Sequence, residues 1–532
     1  MHFYRMLIVI LCCSLSLFAQ AEKGDSVAAE AIKTEAIERS QALQTLNVLT
    51  NVIGARLTNS KGLAAANDWT REALEKMGLS AEVEPWGEFG RGWDMKSFRA
   101  GIVAPYAIPL IAYPKAWSPA TRGTVRSKIL YINETKLEDI QKKYSNKLKN
   151  AIVLLGDKVK IEEDFEADAK RWSDSELLTM SNAGKNEGRA ESFRRSFRKS
   201  PRFSAFIERQ RIFTWINNQQ PALIVDGGSF SFRGGTPHSG VVRVMGASMP
   251  LVDESDPFGN TNPKAWDPNP PSVAPQIAIS AEQYNQLIEL IKSGKEVIME
   301  CDLQVEWRDK DLKAYNTIGT WSGSDRKDET VMIGAHLDSW HSSTGATDNA
   351  AGVSVMMEAI RILKAIGFQP RRTIKIGLWS AEEQGLLGSA GYVNKHLYDS
   401  TGAKPGYEKF NVYFNMDNGG GQIRGIYLQG HEDVQSYFRQ WMEPFRSWGA
   451  STISLKGTGS TDHMSFISAG LNGFQFIQDP MDYSNITWHT NMDMYDHIQP
   501  LDLKRNAAIV AYFVYMSAMS DEVLPKRAIE KE

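Results

Sequence analysis

Apolar positions in this chain come in two rhythms, and the way they alternate predicts its layout. Residues 331–335 form a continuous apolar run that ends in His336-Leu337-Asp338. At the two-residue period of a strand, His336 and Asp338 point to the same side. Residues 350–366 carry apolar side chains at helical spacing, and residues 373–380 form a second apolar run that leads into Glu382-Glu383. Two more apolar runs follow. Residues 412–416 end at Asp417, and residues 473–478 precede Trp488-His489-Thr490-Asn491-Met492-Asp493. Near-continuous apolar strands separated by a helical stretch predict an α/β sheet buried on both faces. Polar residues of metal-ligand type stand where these strands stop. That is the crevice end of an open α/β sheet.

The chain before this stretch reads differently. Residues 27–46 and 63–77 have helical spacing, the second stopping at Gly78, and residues 79–85 alternate like a strand. From about residue 95 the pattern becomes short strands punctuated by Pro and Gly, at 108–112, 128–132, 151–156 and 222–228. Residues 158–211 are highly charged and include Arg189, Arg194, Arg195, Arg198 and Arg202. A solvated helical excursion explains them more simply than a basic lid. Residues 253–275 read as a Pro-, Asn- and Asp-rich linker. A strand at 277–280, a helix at 282–293 and a strand at 296–307 follow, and a new run of strands opens at 314–321.

The expected organisation is a leader at 1–21, a first part of the main α/β domain at 22–119, a β-rich insertion at 120–305, the main domain resumed at 306–522, and a polar tail at 523–532. A length of 532 residues suits more than one core. The leader reading rests on His2 and Arg5, the apolar run 6–18 and the small-x-small exit Ala19-Gln20-Ala21. The run is too short to span a bilayer comfortably, so the mature chain is expected to be exported to periplasm or medium without stable membrane insertion. The formal net charge of −3 gives no reason to expect nucleic acid or an anionic membrane as partner. Oligomeric state is open. Removing the leader with Cys12 and Cys13 leaves Cys301 alone. An intramolecular disulfide is then impossible, and a metal would have to use His and carboxylates.

Such donors are present as a set: His336, Asp348, Glu382, Glu383, Asp417 and His489. Nitrogen and oxygen donors of this kind suit a pair of zinc ions. Asp348, between the two flanking strands, is the natural bridge. Either Glu382 or Glu383 ligates while its neighbour stands free as the general base that hydrolysis needs. Asp338 would orient the His336 imidazole, and Asp493 that of His489. His341 is expected near the site and His463 is ambiguous, while His2, His238, His396, His431 and His497 have no supporting cluster. Gly419-Gly420-Gly421 lacks the Lys-Ser/Thr of a phosphate loop and reads as a turn.

At these residues the chain resembles the co-catalytic zinc exopeptidases, the family of leucyl aminopeptidase, carboxypeptidase Q and glutamate carboxypeptidase II. The likeness rests on His336-Leu337-Asp338-Ser339-Trp340, on the segment Thr347-Asp348-Asn349 and on Ala381-Glu382-Glu383-Gln384-Gly385. Asn415-Met416-Asp417 and His489-Thr490-Asn491-Met492-Asp493 complete it. Gly54-Ala55-Arg56-Leu57-Thr58 and the run 336–340 are most similar to carboxypeptidase Q-like members. The resemblance implies a three-layer, doubly wound mixed sheet of the phosphorylase/hydrolase-like kind with a protease-associated-like insertion. It implies two zinc ions on His336, Asp348, Glu383, Asp417 and His489, Asp348 bridging, and Glu382 as base. Asp462 belongs to a matching segment near the site. Trp488 stands beside the last His, where many family members carry an oxyanion-stabilising Tyr; an indole N–H can also donate. Peptides are the implied substrates and aminopeptidase action the first expectation. Dipeptidase or carboxypeptidase action, glutaminyl cyclisation and a non-catalytic receptor-like scaffold are the alternatives.

Overall fold

The computed structural model describes residues 25–527 apart from 162–164, 186–199, 229–238, 258 and 260. The expected leader, the arginines at 189, 194, 195 and 198, and the last five residues of the tail lie outside the described residues.

The first of two eight-stranded sheets holds the apolar runs. In chain order its strands are β1 (Ser80–Glu88), β2 (Lys313–Trp321), β3 (Arg326–His336), β4 (Arg372–Trp379), β5 (Phe410–Asn415), β6 (Ile423–Tyr427), β7 (Thr452–Ser454) and β8 (Gly473–Gln478). Their spatial order is β1-β2-β4-β3-β5-β8-β6-β7. The central four, β4, β3, β5 and β8, pair in parallel. Antiparallel pairs β1–β2, β2–β4 and β6–β8 make the sheet mixed.

The period of two decides which face each residue takes. Val331, Ile333, Ala335, Ile374, Ile376 and Leu378 join one core, while Met332, Trp379 and Tyr413 join another on the opposite face. Helices α1 (Ser26–Glu38), α2 (Lys61–Lys76), α3 (Ala351–Ala365) and α5 (Pro500–Met519) contribute to the first core; α4 (Leu387–His396) contributes to the second. Each aliphatic side chain buried there is worth roughly 1.5–3 kcal/mol. Helix α2 starts where the Ser60 hydroxyl accepts from the Leu63 N–H at 3.2 Å, and it gives way at Gly78, φ +81°. The expected single helix over 27–46 is two, α1 and a short helix Ala42–Asn47. The break has a tertiary cause: the Gln41 N–H leaves the helix to donate to Glu358 Oε1 at 3.0 Å.

The second sheet is ordered Ile108–Pro109, Gly92–Ala104, Ile298–Arg308, Val125–Ile132, Ile152–Leu155, Leu223–Asp226, Gln276–Ile279, Ala112–Pro114. Strands ahead of residue 120 therefore pair into it, and it has its own core around Ile129, Ile152, Leu223, Ile277 and Leu287. Sequence pattern missed its longest strand, Gly92–Ala104. A register shift at Met95/Ser97 breaks the alternation by which a strand is read. The charged excursion is helical at Asp174–Ser181 and Pro201–Asn218. An aromatic cluster of Phe89, Trp93, Trp117 and Trp340 joins the two sheets' domains. Among the described residues no helix is long and apolar enough to cross a membrane.

Candidate metal centre

Because β3, β4, β5 and β8 run in parallel, their carboxyl ends open on one side. His336 is the last residue of β3, Glu382 and Glu383 follow β4, and Asp417 follows β5. His489 lies beyond β8, and Asp348 sits in a widened turn, Ala346–Ala350, ahead of α3. Chain order scatters these side chains over more than 150 residues; the parallel sheet gathers them.

The donors converge in two groups: His336, Glu382 and Asp417, and Asp348, Glu383 and His489. His336 Nε2 lies 3.1 Å from Asp348 Oδ1, 3.7 Å from Asp417 Oδ1 and 3.9 Å from Glu382 Oε2. His489 Nε2 lies 2.9 Å from Glu383 Oε2 and 3.4 Å from Asp348 Oδ2. Asp348 thus turns one oxygen to each imidazole. Two donors on one tetrahedral zinc, each about 2.0–2.1 Å from the ion, would stand about 3.3 Å apart. The observed separations fit that spacing.

Charge argues the same way. His336, Asp338, Asp348, Glu382, Asp417, Asp462 and Asp493 are buried, and the Glu383 side chain is 3% exposed. Buried carboxylates need pairing or a metal. Without one, burial and neighbouring acids push Glu382 well above the usual carboxylate range, and burial raises Glu383. Burial opposes charge on His489, yet Glu383 and Asp348 push it up to about 9. Asp348 Oδ2 and Glu383 Oε1 are buried without a hydrogen-bond partner. Unpartnered buried carboxylate oxygens beside His489, on side chains that share a cluster of imidazole and carboxylate donors, suit a divalent cation, so the donor set fits zinc.

The surrounding residues hold these donors in place. His336 Nδ1 is 3.0 Å from the Asp338 carbonyl, whereas the Asp338 carboxylate is 3.6 Å away. That carboxylate instead accepts from the backbone N–H groups of Glu382, at 3.2 Å, and Glu383, at 3.4 Å. Asp493 also differs from expectation. Its carboxylate accepts from the Thr347 N–H at 2.6 Å and the Asp348 N–H at 3.1 Å, so it orients the Asp348 turn and not His489. Asp462 is buried beside the site, with burial raising its pKa. The Trp488 ring packs tilted against His489, ring centroids 4.1 Å apart and planes at 32°.

Two supports lie in the segments 54–58 and 336–340 that carry the resemblance, but the sequence assigned neither a role. Arg56 is fully buried and donates to the carbonyls of Leu337, Thr344 and Gly345 at 2.7–2.9 Å, pinning the loop after β3. Trp340 lines a cavity with Asp348, Glu383 and His489, and its indole N–H is buried without a partner. A buried Arg or an indole donor is visible only once the loops meet. His341 and His463 stay outside both donor groups. The first donates from Nε2 to the Pro114 carbonyl at 2.7 Å, and the second pairs with Gln429 at 2.9 Å. A larger cavity, about 580 Å³, near Arg171, Arg424 and Arg505 contains none of the donors.

Residues 316–514 match the sequence model of Peptidase family M28. Carboxypeptidase Q of Mus musculus is 26% identical over 252 residues, 47% of this chain and 52% of that protein. The chain spans about half the length of the curated relatives it matches. Among solved structures, a peptidase M28 precursor from Shewanella amazonensis SB2B aligns with a TM-score of 0.64 at 24% identity, over 95% of this chain and 99% of that one. BSAP, a zinc aminopeptidase from Bacillus subtilis, aligns with a TM-score of 0.54 at 18% identity, over 92% and 96%. Both structural likenesses are likenesses of fold.

Proposed function

We propose that this chain, whose residues 316–514 are those of a peptidase family M28 domain, is an exported dinuclear zinc exopeptidase, in the first place an aminopeptidase. One observation carries the reading: the Asp348 carboxylate faces two imidazoles at once, 3.1 Å from His336 and 3.4 Å from His489. His336, Asp417 and Asp348 would hold one ion, and His489, Glu383 and Asp348 the other. Zinc held there supplies Lewis acidity toward a water and toward a peptide carbonyl.

The remaining steps belong to the chain's own side chains. Glu382 is left free of that ligand count. Its carboxylate takes a proton from the attacking water and returns it to the nitrogen of the departing amine. Asp338 keeps the Glu382-Glu383 turn aimed through its two backbone hydrogen bonds. The unpartnered indole N–H of Trp340 is a donor available to the substrate carbonyl oxygen. The second sheet, which includes the expected insertion at 120–305, acts as a protease-associated-like cap that narrows the crevice to chain ends. An edge-on contact of Trp340 with Trp117, just past the second sheet's Ala112–Pro114 strand, with centroids 6.2 Å apart, supports the placement. The leader-like residues 1–21 support export. The match to carboxypeptidase Q favours dipeptidase or carboxypeptidase action as the second reading.

Hydrolysis of one dipeptide by the zinc-loaded chain, free at both ends and then blocked at either, separates these readings. Cleavage lost only on N-blocking establishes an aminopeptidase. Loss only on C-blocking means a carboxypeptidase, and loss on either means a dipeptidase. No cleavage, or a Glu382→Ala chain as active as the parent, overturns the mechanism.

A further inference from the structure

The two histidines of the centre are held in different ways. His336 sits at a strand end, and its Nδ1 meets a carbonyl at 3.0 Å. His489 lies in a loop, and its Nδ1 is buried without a hydrogen-bond partner. A metal-binding imidazole is normally oriented through that second nitrogen. The backbone of His489 also stands at φ +59°, in the left-handed region that non-glycine residues seldom occupy. Such a conformation persists where surrounding contacts over-determine it.

Those contacts come from the second sheet's region of the chain. The Val244 N–H donates to the His489 carbonyl at 2.9 Å, and Arg243 forms an antiparallel bridge with Thr490. The Val242 N–H donates to Asn491 Oδ1 at 2.7 Å, and the Asn491 N–H donates back to the Val242 carbonyl at 3.2 Å. The Arg243 side chain, 1% exposed as a residue, donates from Nε to the Trp488 carbonyl at 3.1 Å and from Nη2 to the Ser484 carbonyl at 3.2 Å. Its guanidinium lies 5.1 Å from the Trp488 ring, which in turn packs against the His489 ring. Every one of these contacts falls on the loop that presents the last metal donor.

We infer that the insertion completes the metal centre: residues 240–244, with Arg243 as a positioning residue, hold the 484–491 loop so that the His489 imidazole reaches Glu383 and Asp348. The inference rests on the dinuclear reading proposed above. It means that the region read as a cap also builds the site. A second docking point of the same region provides the contrast. Arg171 pairs with Asp479 and Asp502, each at 2.8 Å, and the Trp172 indole donates to the Gln478 carbonyl at 2.8 Å. Those two side chains grip the end of β8 and the start of α5. Among the described residues the same segment reaches the 484–491 loop only through Asp168, which accepts from the Asn485 amide at 3.1 Å, so replacing Arg171 leaves that contact and those of Arg243 in place.

The test compares the full chain with Arg243→Met, Arg243→Lys and Arg171→Met. Zinc affinity is read by competition with a chromophoric chelator, and amide hydrogen exchange is read across 484–492. Arg243→Met is expected to weaken one of the two zinc ions by ten- to a hundredfold and leave the other at parental affinity. It should also speed exchange at Asn491. Arg243→Lys should recover part of the loss, since an ammonium can stay over Trp488 and donate to one carbonyl. Arg171→Met should keep both affinities. Parental zinc affinities and exchange in Arg243→Met overturn the inference, as does an equal loss in Arg171→Met. Should Arg243→Met not fold, Asn491→Ala replaces it with the same expectations. A parent chain that binds no zinc defeats the dinuclear reading by itself. Exchange across 484–492 then decides the positioning role, for it if faster in Arg243→Met and against it if unchanged.

Discussion

A carboxylate held away from water is costly until something answers its charge, and around His336 several are held together. Glu382 is the one assigned to proton transfer. Replacing it with Gln keeps size and removes basicity, so kcat should fall by about 10²–10⁴-fold while zinc content stays parental; turnover and metal analysis on the same sample check both halves. Arg56 works through geometry. Arg56→Met leaves the carbonyls of Leu337, Thr344 and Gly345 without their donor inside the fold. We expect a loss of about 3 kcal/mol or more in urea denaturation. His463 sets a pH dependence. Burial lowers it from 6.5 to about 4, so between those values the unfolded chain binds more protons than the folded one. Its contribution is complete above pH 6.5 and is lost as pH falls toward 4, up to about 3 kcal/mol. Acid-range melting curves of His463→Gln should be correspondingly flatter than those of the parent.

At the scale of elements, the carboxyl ends of β4, β5 and β8 are tied by one buried chain of hydrogen bonds. The Trp379 indole donates to the Tyr413 hydroxyl at 2.7 Å, which donates to Asn415 Oδ1 at 2.6 Å. Asn415 donates to Gln475, whose amide donates to the Asp417 carbonyl at 2.7 Å. Position 377 must be small to make room, because a Cβ there would meet the Trp379 ring at 2.3 Å. Gly377→Ala should therefore cost about 1–3 kcal/mol by thermal melting, a loss that a surface Gly→Ala change would not produce. The four parallel strands were legible because each is a local apolar run, and β8 matches its expected bounds of 473–478, whereas the short strands β6 and β7 were not read. The strand Gly92–Ala104 and the break between α1 and the next helix were not. A bulge hides the one, and a contact with Glu358 makes the other.

For the molecule as a whole, metal and fold are expected to be coupled. A ligand that binds only the folded chain stabilises it by about 2.7 kcal/mol at a hundred times its Kd. Stripping the centre with a chelator should lower the melting temperature by several degrees, and restoring zinc should recover it. Magnesium at the same concentration should restore little, since two imidazoles suit a borderline-soft ion better than a hard one. Differential scanning calorimetry with and without each ion reads both outcomes.

Taken alone, the sequence determined the donor types and their order, and it seated His336, Glu382, Glu383 and Asp417 at strand ends. Those four follow local apolar runs, and a run's period is written in adjacent residues. Tertiary structure decided what holds the donors. Asp493 serves Asp348 and not the histidine four residues before it, Asp338 steadies two glutamates, and Arg243 reaches a carbonyl 245 residues further along the chain. No periodicity records such partners. They are fixed when two separately cored sheets close on each other and buried donors must find acceptors wherever the packing has brought them.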